Sequence, residues 1–202
     1  MLIEEGNTKI LIDPGTWVFG EKIAKPSDFS DVTAVLITHE HPDHLDVGSL
    51  SKIIKGNTPV ISNKSVNTYL KKANLKTKIL NYGEQINIEG ILVEGVKSPH
   101  GTNPIPMPEN IGFFIQKKIF HPGDSLKISN LPKVQVYLAP VTAPWATLNN
   151  VVEATKNLAP KMVIPIHDGY IKYPFAVDLF SKIVTDLNIL VKAKNPGESI
   201  TI

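Results

Sequence analysis

Residues 38–44 read Thr-His-Glu-His-Pro-Asp-His, so His39, His41, Asp43 and His44 fall within six consecutive positions. They directly follow an apolar run, Val32-Thr33-Ala34-Val35-Leu36-Ile37, which reads as a buried strand. A fold that accepts this stretch must place a ligand-rich turn on a strand end, with a helix starting near Asp46. Imidazole and carboxylate are the donors that borderline divalent ions such as Zn²⁺ prefer. A strand end supplies the rigid base that a metal site needs.

The chain has six histidines, and the three outside this turn are His100, His121 and His167. Each lies at or just after an apolar, strand-like run: Ile91 to Val96, Phe113 to Phe120, and Met162 to Ile166. Singly, such a histidine reads as a satisfied turn residue. Together with the 38–44 turn, the three read as partners in one metal site.

The His-x-His-x-Asp-His turn, the later single His, the Gly-Asp pair and the final strand-end His resemble the metallo-β-lactamase superfamily. Asp13 in Leu11-Ile12-Asp13-Pro14-Gly15 matches the Asp of its first motif. His39, His41, Asp43 and His44 match the second, His100 the third, Asp124 in Gly123-Asp124 the fourth, and His167 the fifth. His-Pro-Gly-Asp at 121–124 and Pro165-Ile166-His167 are similar to the compact metal-dependent hydrolases related to ascorbate-6-phosphate lactonase. Pro160-Lys161 and Ala139-Pro140 fit the same branch. That branch opens with a strand carrying Gly-His-Ser, whereas this sequence begins at Met1-Leu2-Ile3-Glu4. It also has Ser where Gly101 stands and a Gly-Gly loop where residues 141–147 read Val-Thr-Ala-Pro-Trp-Ala-Thr. These departures surround the substrate rather than the metal.

The resemblance implies an α/β fold, an αββα four-layer sandwich, here expected without the usual first strand, with residues 1–202 as a single domain. The residue pattern permits it. Strands are predicted at 8–12, 33–37, 59–61, 78–80, 86–88, 91–97, 111–116, 118–120, 134–138, 162–166, 189–193 and 199–202. Helices are predicted at 46–55, at 64–73 with Ser62 or Asn63 as N-cap, at 148–158, and at 174–187 with Pro174 in the first turn. A sheet short of one strand would expose an edge, from which a homodimer is expected.

The resemblance also implies two divalent ions. His39, His41 and His100 would hold one; Asp43, His44 and His167 the other; Asp124 would bridge them. Three or four ligands per ion leave a position open, as in catalytic rather than structural sites. Zinc fits first, with manganese or iron accommodated by the same donors. Two such ions can share a hydroxide that attacks an ester, lactone or phosphoester. Two ions bring four positive charges, of which Asp43, Asp124 and the hydroxide cancel three, so an anionic substrate is favoured. Asp43 and His121 are the candidate catalytic side chains, His121 as a substrate contact or proton donor, or else as a partner behind the ligands. Asp13 reads equally as an orienter of the 39–44 turn or as an ordinary Asp-Pro turn. Trp145 and Tyr170 either line the pocket or pack in the core. The proline-rich stretch from Gly101 to Gly112 is a lid or a stiff connection.

Several classes are excluded or disfavoured. There is no cysteine, hence no thiolate ligand and no branch with Cys at the second metal. His41 stands where flavin-linked di-iron relatives carry Glu, which favours hydrolysis over redox chemistry. A net charge of +2 is too small to argue for nucleic acid by itself. A nuclease of the same superfamily or a β-lactam-hydrolysing enzyme is the alternative, and a non-enzymatic metal binder is a third class. No apolar run is long enough to span a membrane and no signal pattern opens the sequence, so a cytoplasmic enzyme acting on a small molecule is expected.

Overall fold

Side-chain alternation along the strands decides the layering. In the strand Ala34–Leu36, Ala34 and Leu36 pack into one apolar cluster while Val35 packs into another. In the strand Ile111–Ile115, Ile111, Phe113 and Ile115 face the first of those clusters and Phe114 faces a third. Two sheets therefore share a central core and each has a second apolar face to cover. The computed structural model that shows this describes residues 1–128, 131–168 and 174–202, with side chains for all of these but 174–176.

The first sheet has strands β1 (Leu2–Glu5), β2 (Thr8–Ile12), β3 (Ala34–Leu36), β4 (Val60–Ser62) and β5 (Lys78–Ile79) in sequential order. β1 and β2 are antiparallel; every later pair is parallel. The second sheet runs β12 (Leu190–Val191), β11 (Met162–Ile166), β10 (Val136–Pro140), β9 (Ile119–His121), β8 (Ile111–Ile115), β7 (Ile91–Lys97), β6 (Gln85–Ile88). It is antiparallel from β6 to β9 and parallel from β9 to β12. Ile10, Ile12, Leu36 and Ile61 meet Val93, Ile111, Phe113 and Ile115 between the sheets. Helices α2 (Val47–Ile53) and α3 (Lys64–Lys71) cover the outer face of the first sheet through Leu50, Ile53, Val66 and Leu70. Helices α4 (Leu148–Leu158) and α5 (Pro174–Thr185) cover the second through Val151, Val152, Phe180 and Val184. This is the αββα order of layers.

The helix starts have local causes. Asp46 accepts the Ser49 N–H, Asn63 accepts the Val66 N–H, and Thr147 accepts the Asn150 N–H. Of the two N-caps considered for α3, Asn63 is the one used. α4 ends on Ala159 in the left-handed region (φ 42°). A short helix, α1 (Thr16–Gly20), precedes α2, and a single 3-10 turn spans Pro26–Phe29.

Three elements differ from expectation. Leu2–Glu5, left unassigned by the sequence, is the edge strand β1; its first two residues are half-buried and the last two exposed, too weak an alternation to read. α1 is five residues long with no buried residue and no side-chain cap, so it lacks an amphipathic signature. Residues 199–202 alternate suitably for a strand but form none, and Thr201 and Ile202 are exposed.

All the chemistry-bearing turns leave from one edge of the sandwich. In the first sheet β2 and β3 are parallel, so the turns at residues 13 and 38–44 emerge side by side. In the second sheet two antiparallel steps separate β7 from β9, and β9, β10 and β11 are parallel. The segments carrying His100, Asp124, Trp145 and His167 therefore also leave strand C-termini on a common edge.

Candidate metal centre

His39, His41, His100 and Asp124 offer ligand atoms within 4.8 Å of one another, and so do Asp43, His44 and His167. These are the two groups expected, with Asp124 between them. Asp124 Oδ1 lies 3.1 Å from His44 Nε2 and 3.4 Å from His167 Nε2, while Oδ2 lies 3.5 Å from His100 Nε2 and 4.0 Å from His39 Nε2. One carboxylate thus presents an oxygen to each group. Asp43 Oδ2 closes the second group, 3.3 Å from His167 Nε2 and 3.6 Å from His44 Nε2.

Four imidazoles have their other nitrogen occupied, which fixes tautomer and ring orientation. His44 Nδ1–H donates to Asp13 Oδ2 at 2.8 Å. Thr38 Oγ1 donates to Asp13 Oδ2 (2.7 Å) and is left to accept from His39 Nδ1 (3.0 Å). His100 Nδ1–H donates to the Gly101 carbonyl at 2.7 Å, and His167 Nδ1–H donates to the Thr142 carbonyl. The opposite nitrogens converge. The Nε2 atoms of His44, His100 and His167, and Oδ1 of Asp124, are buried without a hydrogen-bond partner among the described residues. Buried polar atoms left without a partner are costly. Aimed at common points with ligand spacing, they fit cations of the N/O-preferring kind.

The electrostatics agree. Burial pushes His39 well below the ordinary imidazole range and lowers His100 too, so both keep a free lone pair at neutral pH. Burial opposes charge on His44 as well, but Asp13 and Asp124 on either side outweigh it and push His44 up to about 10. Burial also disfavours the charged forms of Asp13 and Asp124, yet His44 holds both carboxyls well below the usual carboxylate range.

Asp13 accordingly orients the 38–44 turn, and it does so from the left-handed region at φ 50°; His167 sits at φ 51°. Both conformations are sparsely populated for residues with a side chain and persist where the surroundings impose them. Beside Asp13, Gly15 N–H donates to the Asp13 carbonyl at 2.9 Å, and a Cβ on Gly15 would lie 1.7 Å from the Asp43 carbonyl oxygen, so the two turns meet where only glycine fits.

His121 lies elsewhere. It pairs with Phe113, whose side chain faces the central core, and is 4% exposed. Its Nδ1 accepts the Gly123 N–H at 3.0 Å, and burial pushes it down to about 4. It sits behind the Gly123-Asp124 turn. Trp145 is only partly covered and donates its indole N–H to Asp124 Oδ2 at 3.3 Å. Tyr170 lies outside the described residues. The stretch 101–110 joins His100 to Asn110 and carries Ile105 at 66% exposure.

The sequence reading missed three residues that hold the centre together. Thr38 gives its N–H and hydroxyl to Asp13, while its carbonyl accepts from Ile111 N–H and from Asn63 Nδ2. Asn63 also caps α3 and reaches the Glu109 carbonyl, so one amide ties a helix start to turns of both sheets. Asn110, 1% exposed, donates to the Ser98 and Pro122 carbonyls and accepts the Asp124 N–H. The available signal was an Asn placed directly before the apolar run of β8, where only a satisfied amide can be buried.

Residues 1–167 match the family described as the Beta-lactamase superfamily domain. The chain belongs to that superfamily. It is 29% identical to a metal-dependent hydrolase of Pyrococcus abyssi, over 98% of this chain and 94% of that one. It is also 29% identical to protein Rv0786c of Mycobacterium tuberculosis, over 85% of this chain and 81% of that one. Among solved structures, Igni18, a metallo hydrolase of Ignicoccus hospitalis, superposes with a TM-score of 0.75 at 22% identity, covering 98% of this chain and 92% of that chain. Among the described residues no helix is long and apolar enough to cross a membrane.

Proposed function

We propose that this chain is a metal-dependent hydrolase that holds two divalent ions, zinc before manganese or iron, and cleaves an anionic ester, lactone or phosphoester. The observation that carries this is the pair of ligand-atom groups, each within 4.8 Å, in which Nε2 of His44, His100 and His167 and Oδ1 of Asp124 are buried without a partner among the described residues, with Asp124 reaching both. His39, His41 and His100 would hold one ion and Asp43, His44 and His167 the other. Bound there, the ions would supply Lewis acidity and lower the pKa of a water to near neutral.

The chain's own groups do the positioning. Asp13 keeps the proton of His44 on Nδ1, and Thr38 does the same for His39. The Gly101 and Thr142 carbonyls fix His100 and His167. Asp43 is the most solvent-exposed of the three site carboxylates, 23% against 9% for Asp13 and 4% for Asp124. Burial raises its pKa most, but the facing His167 and His44 imidazoles together outweigh this and lower it below the usual carboxylate range. Asp43 is therefore the side chain placed to orient an entering water or accept its proton. His121, with Nδ1 committed to Gly123, positions the turn that carries Asp124. The hydrolase name of the Pyrococcus abyssi relative supports the reaction class.

The test is metal analysis by plasma mass spectrometry together with a panel of lactone, ester and phosphodiester substrates, anionic and neutral. Two ions per chain and preference for anionic substrates are expected, with both metal and turnover lost in Asp124→Ala. Full activity in that variant would overturn the assignment.

A further inference from the structure

Trp145 stands where both ligand groups meet. Its ring lies 5.8 Å from that of His100, edge-on, and 6.4 Å from that of His167, so it borders one imidazole from each group. The indole N–H is tied inward to Asp124 Oδ2. Gly101 provides the seat: a Cβ there would lie 2.2 Å from indole carbons. The Gly101 N–H in turn donates to the Asp124 carbonyl at 2.8 Å. Gly101, Trp145 and Asp124 therefore form one closed unit, and the ring cannot swing away without losing the indole hydrogen bond. Trp145 itself is only half-buried.

We propose that Trp145 is a specificity-determining wall beside the metal centre, favouring anionic substrates that carry a flat aromatic or unsaturated group next to the reacting bond. This rests on the proposed function for the place of the anion. The wall adds what that function leaves open, the shape of the group next to the scissile bond. Aromatic pairing contributes about 0.5–1.5 kcal/mol beyond area burial, which corresponds to roughly two- to tenfold in affinity. The N–H tether makes the wall rigid, so little ordering is needed on binding.

The test uses carboxylate binding and needs no turnover. The chain has two tryptophans, so Trp17→Phe leaves Trp145 as the reporter. Uptake of zinc, manganese and iron is measured first; a protein that takes up none of them ends the proposed function and this inference with it. Metal-loaded protein is then titrated with phenylacetate and with acetate, by calorimetry and by tryptophan emission. Phenylacetate should bind at least twofold more tightly and change Trp145 emission. In Trp145→Ala, or in Trp145→Leu should the smaller residue prevent folding, that ratio should fall to about one. In Trp145→Phe, which keeps a ring but drops the N–H, it should persist. An unchanged ratio in the Ala or Leu variant, or an emission that does not respond, overturns this inference and leaves the proposed function standing.

Discussion

Asp13→Asn changes one atom type in the buried network and should misdirect a ligand without emptying its place. Asp13 receives three hydrogen bonds: Thr38 N–H at 2.8 Å, Thr38 Oγ1–H at 2.7 Å and His44 Nδ1–H at 2.8 Å. An asparagine retains Oδ1 for the Thr38 N–H. Its NH₂ then faces Thr38 Oγ1, which can turn to accept, and His44 Nδ1, which can accept only if the ring proton moves to Nε2. That tautomer puts a hydrogen on the nitrogen that faces Asp124 and the second ligand group. Loss of such an orienting partner typically costs 10–100-fold in metal affinity, about 1.4–2.7 kcal/mol. The stability cost is one charge-assisted hydrogen bond, about 1.5–3 kcal/mol, small enough for the variant to fold. Asp13→Ala is the poorer probe, since it leaves several buried donors unpartnered at once. Zinc titration against a chromophoric chelator reads the outcome. The tighter or weaker of two binding steps should shift by one to two decades while the other moves little. Two unshifted steps in Asp13→Asn would refute the orienting role.

Asn110→Ala orphans the Ser98 and Pro122 carbonyls and the Asp124 N–H; at about 1 kcal/mol or more each, urea unfolding should register a loss of about 3 kcal/mol, and an unchanged midpoint would contradict the network. Gly123→Ala forces a side chain into φ 60° with its Cβ 2.2 Å from Asn110 Oδ1, so it should lose more than the roughly 1–2 kcal/mol of the backbone strain alone in the same assay. His121 sets a pH dependence. Its folded pKa of about 4 lies below the unfolded value of about 6.5, so the unfolded chain binds the extra proton; stability is intact above pH 6.5 and falls by about 1.4 kcal/mol per unit towards pH 4. His121→Asn keeps an acceptor for the Gly123 N–H but cannot titrate, so between pH 7 and pH 5 it should lose about 2 kcal/mol less than the parent; parallel losses would remove the assignment.

How much was legible follows from where each signal resides. The strand before the 38–44 turn was readable because β3 is buried on both faces, and an unbroken apolar run survives in sequence. The ligands were readable because their residue types are chemically restricted and their spacing within the turn is local. Their sorting into two groups around Asp124 came from family resemblance, and the geometry reproduces it. What could not be read is what depends on contacts between distant segments. Thr38 looks like an ordinary strand-end threonine until Asp13, Asn63 and Ile111 close on it. Asn110 bonds across 12 to 14 positions, and no local pattern encodes that. Gly101 looked like a departure from the branch, yet with Trp145 it is one half of a packing pair, visible only when the ring is seen against it. β1 and α1 escaped notice for the opposite reason: they bury so little that periodicity has nothing to report.

The central claim is tested most directly by diffraction at the zinc absorption edge from crystals grown with the metal. The account predicts two anomalous peaks about 3.5–4 Å apart, one within bonding distance of His39, His41 and His100, the other of Asp43, His44 and His167, with Asp124 touching both. A single peak outside these side chains, or none with the imidazoles turned away from each other, would contradict it.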